Sequence, residues 1–179
     1  ARALQTSTAK KIVKVVEALE RVDEEGKEDP DFETVKEILN ELLVKKESLR
    51  SYDRSVMWNY WGYVYFSEER FSDAMQAYRN LLAEPESTIP LRVASLYTLA
   101  QLNFVNEDYE EGVKVLLQWM DEVEVIFREL HHHVVPTPLD PSGEHGHVVV
   151  RFPLDWNGDV DGGRHLLDLG FFPWALCIW

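Results

Sequence analysis

The stretch WNYWGYVYF, residues 58–66, places six aromatic side chains and one glycine within nine residues. A segment this rich in rings could hold a ligand, line a pore or pack within a protein core. A ligand pocket requires no periodicity, whereas stacked helices require the same pattern to return further along the chain. The residues that follow this stretch therefore decide between the alternatives.

The aromatic stretch begins a longer spaced pattern. In chain order its members are Trp58, Trp61, Gly62, Tyr65, Phe71, Ala74, Tyr78 and Pro85. This spacing resembles the tetratricopeptide repeat, with Trp61 in place of a leucine and Tyr78 in place of a phenylalanine. The resemblance implies two antiparallel helices that cross closely at Gly62, with Ala74 as the small residue opposite. The aromatic rings are then mainly core.

A second copy of the pattern follows at a shift of 38 residues. Its members are Leu96, Leu99, Ala100, Asn103, Tyr109, Gly112, Leu116 and Trp119. The usual period is about 34 residues, so we expect the extra residues to lengthen the turn at 86–90. Ala100 and Gly112 are predicted to lie at the second close crossing.

The residues before the aromatic stretch form a looser first copy with longer loops. Its apolar stripes are Ile12, Val15, Val16 and Leu19, then Phe32, Val35, Ile38, Leu39, Leu42 and Leu43. The charged loop 23–29 separates the stripes, and Asp31 is a plausible N-cap for the second helix. We therefore predict a mostly α fold of antiparallel hairpins, a TPR solenoid at residues 1–125 with six helices between residues 5 and 122. A linker at 126–146 and a β-rich tail at 147–179 follow.

The TPR resemblance implies a scaffold whose inner face, built by the first helix of each pair, holds a protein or peptide segment. When the inward positions of the family are matched to this sequence one by one, they are Val56, Asn59, Tyr63, Phe66, Ala94, Tyr97, Gln101 and Phe104. All of these except Val56 and Ala94 are the predicted partner-binding residues, because rings and amides offer large contact area at small entropic cost. In the alternative, the C-terminal segment of the same chain covers these rings.

The C-terminal residues show a different pattern. Alternation at 148–152 predicts a strand, and turn residues at 155–159 predict a hairpin. The features involved are Pro136, Gly143, Gly146, the V-x-V-x-F run at 148–152, the turn at 157–160 and the segment 171–176. They resemble the C-terminal domain of TonB-type energy transducers, which implies a periplasmic auxiliary of a TonB-type transport system. The alternative is a generic TPR scaffold, periplasmic or cytoplasmic, whose tail caps the repeats.

Residues 1–3, Ala-Arg-Ala, have the small-x-small form that ends a secretory signal peptide, which agrees with a periplasmic location. The longest apolar run, at 171–179, is far shorter than the roughly 20 residues of a transmembrane helix. The net charge of −14 disfavours nucleic acids and anionic membranes as partners and leaves proteins as the expected class.

Catalytic and metal-binding motifs are absent from the sequence, so we expect neither an enzyme nor a cofactor. The histidines are His131, His132, His133, His145, His147 and His165. Consecutive histidines point in different directions, so metal binding through this cluster is a remote alternative. The Asp155–Asp161 spacing lacks the glycine and the glutamate of a calcium loop. Cys177 is the one cysteine and cannot form an intrachain disulfide.

Overall fold

The computed structural model describes residues 3–133, and six α-helices and one 3₁₀ turn (Lys46–Ser48) follow one another along this range. The helices are α1 (Thr6–Leu19), α2 (Phe32–Val44), α3 (Ser51–Ser67), α4 (Phe71–Ala83), α5 (Ile89–Val105) and α6 (Tyr109–His133). The prediction of a mostly helical fold is confirmed for this range. The β-rich tail predicted at 147–179 lies outside it.

The charged loop between α1 and α2 is an ordered turn. The carboxylate of Asp23 accepts hydrogen bonds from the backbone N–H groups of Glu25 and Lys27, both at 2.9 Å. Gly26 has a φ of 79°, in the left-handed region that glycine adopts without strain. An isolated antiparallel bridge joins Val22 and Glu28, so the connection forms a small hairpin between the two helices.

The predicted N-cap at Asp31 is confirmed. Its carboxylate accepts hydrogen bonds from the backbone N–H of Thr34 at 3.0 Å and from the Thr34 hydroxyl at 2.9 Å. These bonds lower the pKa of Asp31, the backbone bond most, because they favour the ionised carboxylate. The cap satisfies one of the backbone donors that the first turn of α2 leaves unpaired.

Two apolar clusters form the core of the described residues. The first joins α1, α2, α3 and one residue of α4, and it contains Ile12, Val15, Val35, Leu39, Leu42, Val56, Met57, Tyr60, Trp61, Val64 and Ala77. The second joins α4, α5 and α6 and contains Ala74, Met75, Tyr78, Leu96, Leu99, Ala100, Leu102 and Val115. Tyr65 packs against both clusters. The aromatic stretch at 58–66 lies in α3, where Tyr60 and Trp61 are buried, so these rings are mainly core.

The hairpin α3–α4 and the hairpin α5–α6 repeat each other at a spacing of 38 residues. The helices α3 and α5 have the same length and begin 38 residues apart. Glu69 and Glu107 end the two turns with φ of 59° and 61°, the two positive values among the described non-glycine residues. The 38-residue repeat is therefore present in the backbone as well as in the sequence pattern.

An ion pair also recurs at this spacing. Arg54 of α3 donates two hydrogen bonds of 2.7 Å to the carboxylate of Glu84, which follows α4. Arg92 of α5 donates a 2.7 Å hydrogen bond to Glu122 of α6. Each arginine also donates to a backbone carbonyl that precedes its own helix. Arg54 donates to the carbonyl of Leu49 at 2.7 Å, and Arg92 donates to that of Leu82 at 3.1 Å. The repeat thus includes the charged contacts that join the helices.

The predicted close crossings are present, but the side chains opposite the glycines differ from those expected. A β-carbon at Gly62 would lie 2.7 Å from the ring of Tyr78, and one at Gly112 would lie 2.6 Å from the ring of Phe104. The nearest neighbours are therefore these rings and not the small residues Ala74 and Ala100. In each crossing the flat aromatic ring occupies the space beside the glycine, where a β-carbon is missing. The methyl group of the alanine is too short to reach this space.

Two helix boundaries differ from the sequence prediction. The turn expected at 86–90 is shared between a short connection at 84–88 and the first turn of α5, where Pro90 fits because its missing N–H has no partner there. Helix α6 continues to His133, so it includes the first residues of the linker predicted at 126–146.

Candidate partner-binding face

The six residues predicted to contact a partner lie on α3 and α5, which pack against each other. They form three pairs at the 38-residue spacing: Asn59 with Tyr97, Tyr63 with Gln101, and Phe66 with Phe104. On each helix the three residues are spaced i, i+4 and i+7, so they share one side of that helix. We name this set of six residues the α3/α5 face. Its role in binding stays a prediction.

Two of the four rings of the face pack inside the helical hairpins. The ring centroids of Phe66 and Phe71 are 5.8 Å apart, at the turn between α3 and α4. The Phe104 ring fills the space beside Gly112, and both phenylalanines pack on the second apolar cluster. These rings therefore stabilise the hairpins and form the floor of the α3/α5 face.

The two tyrosines of the face rest on aromatic neighbours. Tyr63 lies 6.2 Å from Phe32 of α2, and Tyr97 lies 5.6 Å from Trp119 of α6, measured between ring centroids. Tyr97 is 37% exposed, the most accessible of the six residues. Because Trp119 supports its ring, Tyr97 offers an ordered apolar surface with a polar hydroxyl, which is the property of many interface residues.

The remaining two residues of the face are amides. Asn59 and Gln101 are both half-buried. The carbonyl oxygen of the Gln101 side chain is buried without a hydrogen-bond partner among the described residues. A donor from outside the chain does not reach this oxygen in the structure, because the atom is fully buried.

Acidic side chains near the turn after α3 are held in ion pairs. Lys36 of α2 donates a 2.9 Å hydrogen bond to Glu68, and this bond is the largest cause of the lowered pKa of Glu68. Arg70 pairs with Asp73 at 2.8 Å and places its guanidinium 4.5 Å from the centroid of the Tyr65 ring. These contacts fix the turn, and those at Glu68 favour its ionised form.

Within residues 3–133, no group of three or more potential metal ligands comes together, and no helix is both long and apolar enough to cross a bilayer. The imidazoles of the histidine cluster and the alternate acidic residues at 155–161 lie outside the part of the chain whose side chains are described. Metal binding through the histidines therefore stays a remote sequence-based alternative.

One surface feature was not predicted from the sequence. Helix α6 carries a second apolar stripe formed by Tyr109, Val113, Leu117 and Met120, each more than half exposed. The spacing i, i+4, i+8, i+11 is readable in the sequence, but the repeat pattern predicts Tyr109 as one of its core positions. We name these four residues the α6 stripe.

No protein family, no curated protein and no solved structure was found to match this chain. The likeness to tetratricopeptide repeats therefore rests on the residue spacing and on the repeated hairpins of the structure itself.

Proposed function

We propose that the protein is a tetratricopeptide-type scaffold that binds a protein or peptide segment on the α3/α5 face. The observation that carries the proposal is the 38-residue repeat of helices, turns and ion pairs, which brings equivalent residues of α3 and α5 side by side. Helical repeats of this kind present extended surfaces whose neighbouring units contribute equivalent contact positions.

The chemistry of the face favours a segment with apolar or aromatic side chains. Tyr97, supported by Trp119, gives a ring on which such a side chain can pack. The half-buried Gln101 side chain lies on the same side of α5, one turn further along. The high negative charge of the chain favours segments that are neutral or basic.

A peptide display library panned against the full chain provides defined ligands for a test. Affinities of the selected peptides are then measured by titration for the wild type, for Tyr97→Ala and for the matched control Tyr109→Ala. Tyr109 is the same residue type, is 63% exposed among the described residues and lies on α6, outside the face. Truncation of a hot-spot tyrosine typically costs about 2 kcal/mol, so we expect Kd to rise about 30-fold in Tyr97→Ala.

The control variant should bind as the wild type does, and circular dichroism should show that both variants remain folded. Equal affinities of the wild type and Tyr97→Ala for every selected peptide would exclude the α3/α5 face as the binding site. A loss confined to Tyr109→Ala would place binding on α6 instead.

The more specific role in a TonB-type system, and with it the periplasmic location, depends on residues 136–176. These residues lie outside the described part of the chain, so that role stays a prediction from the sequence. The α3/α5 face has the same chemistry in either setting.

A further inference from the structure

The α6 stripe is an apolar surface without a cover among the described residues. Tyr109, Val113, Leu117 and Met120 fall on one side of α6, adjacent to the side that packs against α5. Scattered apolar side chains are usual on a protein surface, but a continuous helical stripe marks a contact site.

The internal repeat shows what such a stripe does in this fold. At the 38-residue spacing, the residues of α4 equivalent to the α6 stripe are Phe71, Met75, Arg79 and Leu82. The three apolar ones pack in the second cluster together with Leu96 and Leu99 of α5. The same side of α4 is thus covered by the first helix of the next hairpin. The α6 stripe is the corresponding stacking surface at the end of the array.

The cover cannot be a further copy of the repeat in the same register. Helix α4 ends at Ala83, whereas α6 continues past the equivalent Asp121 to His133. At the 38-residue spacing, Pro138 occupies the position that is equivalent to Gly62 and Ala100. A different segment must therefore supply the apolar side chains.

We propose that residues 166–179 of the same chain cover the α6 stripe. This segment, LLDLGFFPWALCIW, contains one charged residue, Asp168, and its apolar side chains match the chemistry of the stripe. A chain as long as residues 134–165 would, if fully extended, span well beyond the length of α6, which is about 35–40 Å, so the connection is long enough for the segment to reach every part of the stripe. The contact does not depend on binding at the α3/α5 face.

A second copy of the chain would have to cover the stripe with its own α6 stripe. Outside α5 and α6, the large apolar side chains with high exposure are Val13, Val22 and Val44, which lie on α1, on the loop after it and at the end of α2. They form no stripe that complements α6. The apolar segment at 166–179 is also present at a high effective concentration because it belongs to the same chain.

The native Cys177 lies within the proposed segment and allows a direct test in the full chain. We would introduce Val113→Cys or Met120→Cys, treat the protein with a short bismaleimide and identify the linked peptides by mass spectrometry. Val13→Cys on α1 is the matched control, because Val13 at 56% exposure is as accessible as Met120 at 55%. We expect a several-fold higher yield of linkage to Cys177 within one chain from at least one α6 position than from position 13.

Linkage between two chains would overturn the proposal in favour of a second copy, and equal yields from α6 and α1 would overturn it outright. A stability measurement gives an independent check. Leu117→Asp should lower the melting temperature, whereas Val13→Asp, at nearly the same exposure in the described residues, should leave it close to that of the wild type. No difference between these two variants would also contradict the proposal.

Discussion

Replacing Gly62 by leucine tests the close crossing of α3 and α4. Even the β-carbon would lie 2.7 Å from Cε1 and Cζ of the buried Tyr78 ring, and leucine adds three more carbons. Overpacking costs about 1–3 kcal/mol, and this substitution should lie near the upper limit. Part of this cost is offset, because the helix propensity of leucine is about 1 kcal/mol more favourable than that of glycine. We therefore expect a net loss of about 2 kcal/mol and a melting temperature lower by about 4–8 °C.

Thermal unfolding followed by circular dichroism measures this change. Gln76→Leu, at an exposed position of α4, is the control for adding a leucine without overpacking and should unfold near the wild-type temperature. Combining Gly62→Leu with Tyr78→Ala should recover part of the loss, because the leucine then occupies the space of the removed ring. An unchanged or higher melting temperature for Gly62→Leu alone would refute the close crossing.

Three other predictions concern charged groups. Arg54→Met should lower the free energy of unfolding by about 1–2 kcal/mol in denaturant titrations, because it leaves the largely buried Glu84 carboxylate unpaired. Asp53→Ala should speed amide hydrogen exchange in the first turn of α1, because the fully buried Asp53 carboxylate accepts a 2.9 Å hydrogen bond from the backbone before that helix. The hydrogen bond from Lys36 lowers the pKa of Glu68, so this bond contributes to stability above about pH 4.3. The contribution is lost as the pH falls through the lowered pKa of Glu68. The melting temperature of Glu68→Gln should therefore depend less on pH in this acidic range than that of the wild type.

The helices and their register were predictable because they follow from periodic apolar residues and small residues at fixed spacing. The partners across each crossing were not. Ala74 is small enough for a crossing, but the position of the Tyr78 ring depends on the angle between the helices, which the spacing does not determine. The pairing of Arg54 with Glu84 spans 30 residues and depends on the same geometry.

The end of α6 lies beyond the predicted boundary, although the apolar spacing continues in the sequence. Val123, Ile126, Phe127 and Leu130 have the i, i+3, i+4, i+7 spacing of a helix past residue 122. The helix also contains an i, i+4 ion pair between Glu124 and Arg128 at 2.8 Å. The linker predicted at 126–146 therefore begins within a segment that has a helical pattern.

The positions of the candidate face could be predicted from the sequence, but the accessibility of each side chain could not. Repeat spacing identified all six residues, and the structure places them on two adjacent helices. Their different accessibilities follow from tertiary contacts, since Phe104 turns toward Gly112 while Tyr97 rests on Trp119. Sequence spacing contains no information on these contacts.

The central claim is that the α3/α5 face binds a protein segment, and site-specific photo-cross-linking tests it most directly. A photoreactive phenylalanine analogue replaces Tyr97 in one sample and Tyr109 in another, and each is irradiated with a peptide selected on the wild-type chain. The account predicts a cross-link between the peptide and position 97, with none at position 109. Cross-linking at position 109 alone, or at neither position despite measurable binding, would contradict it.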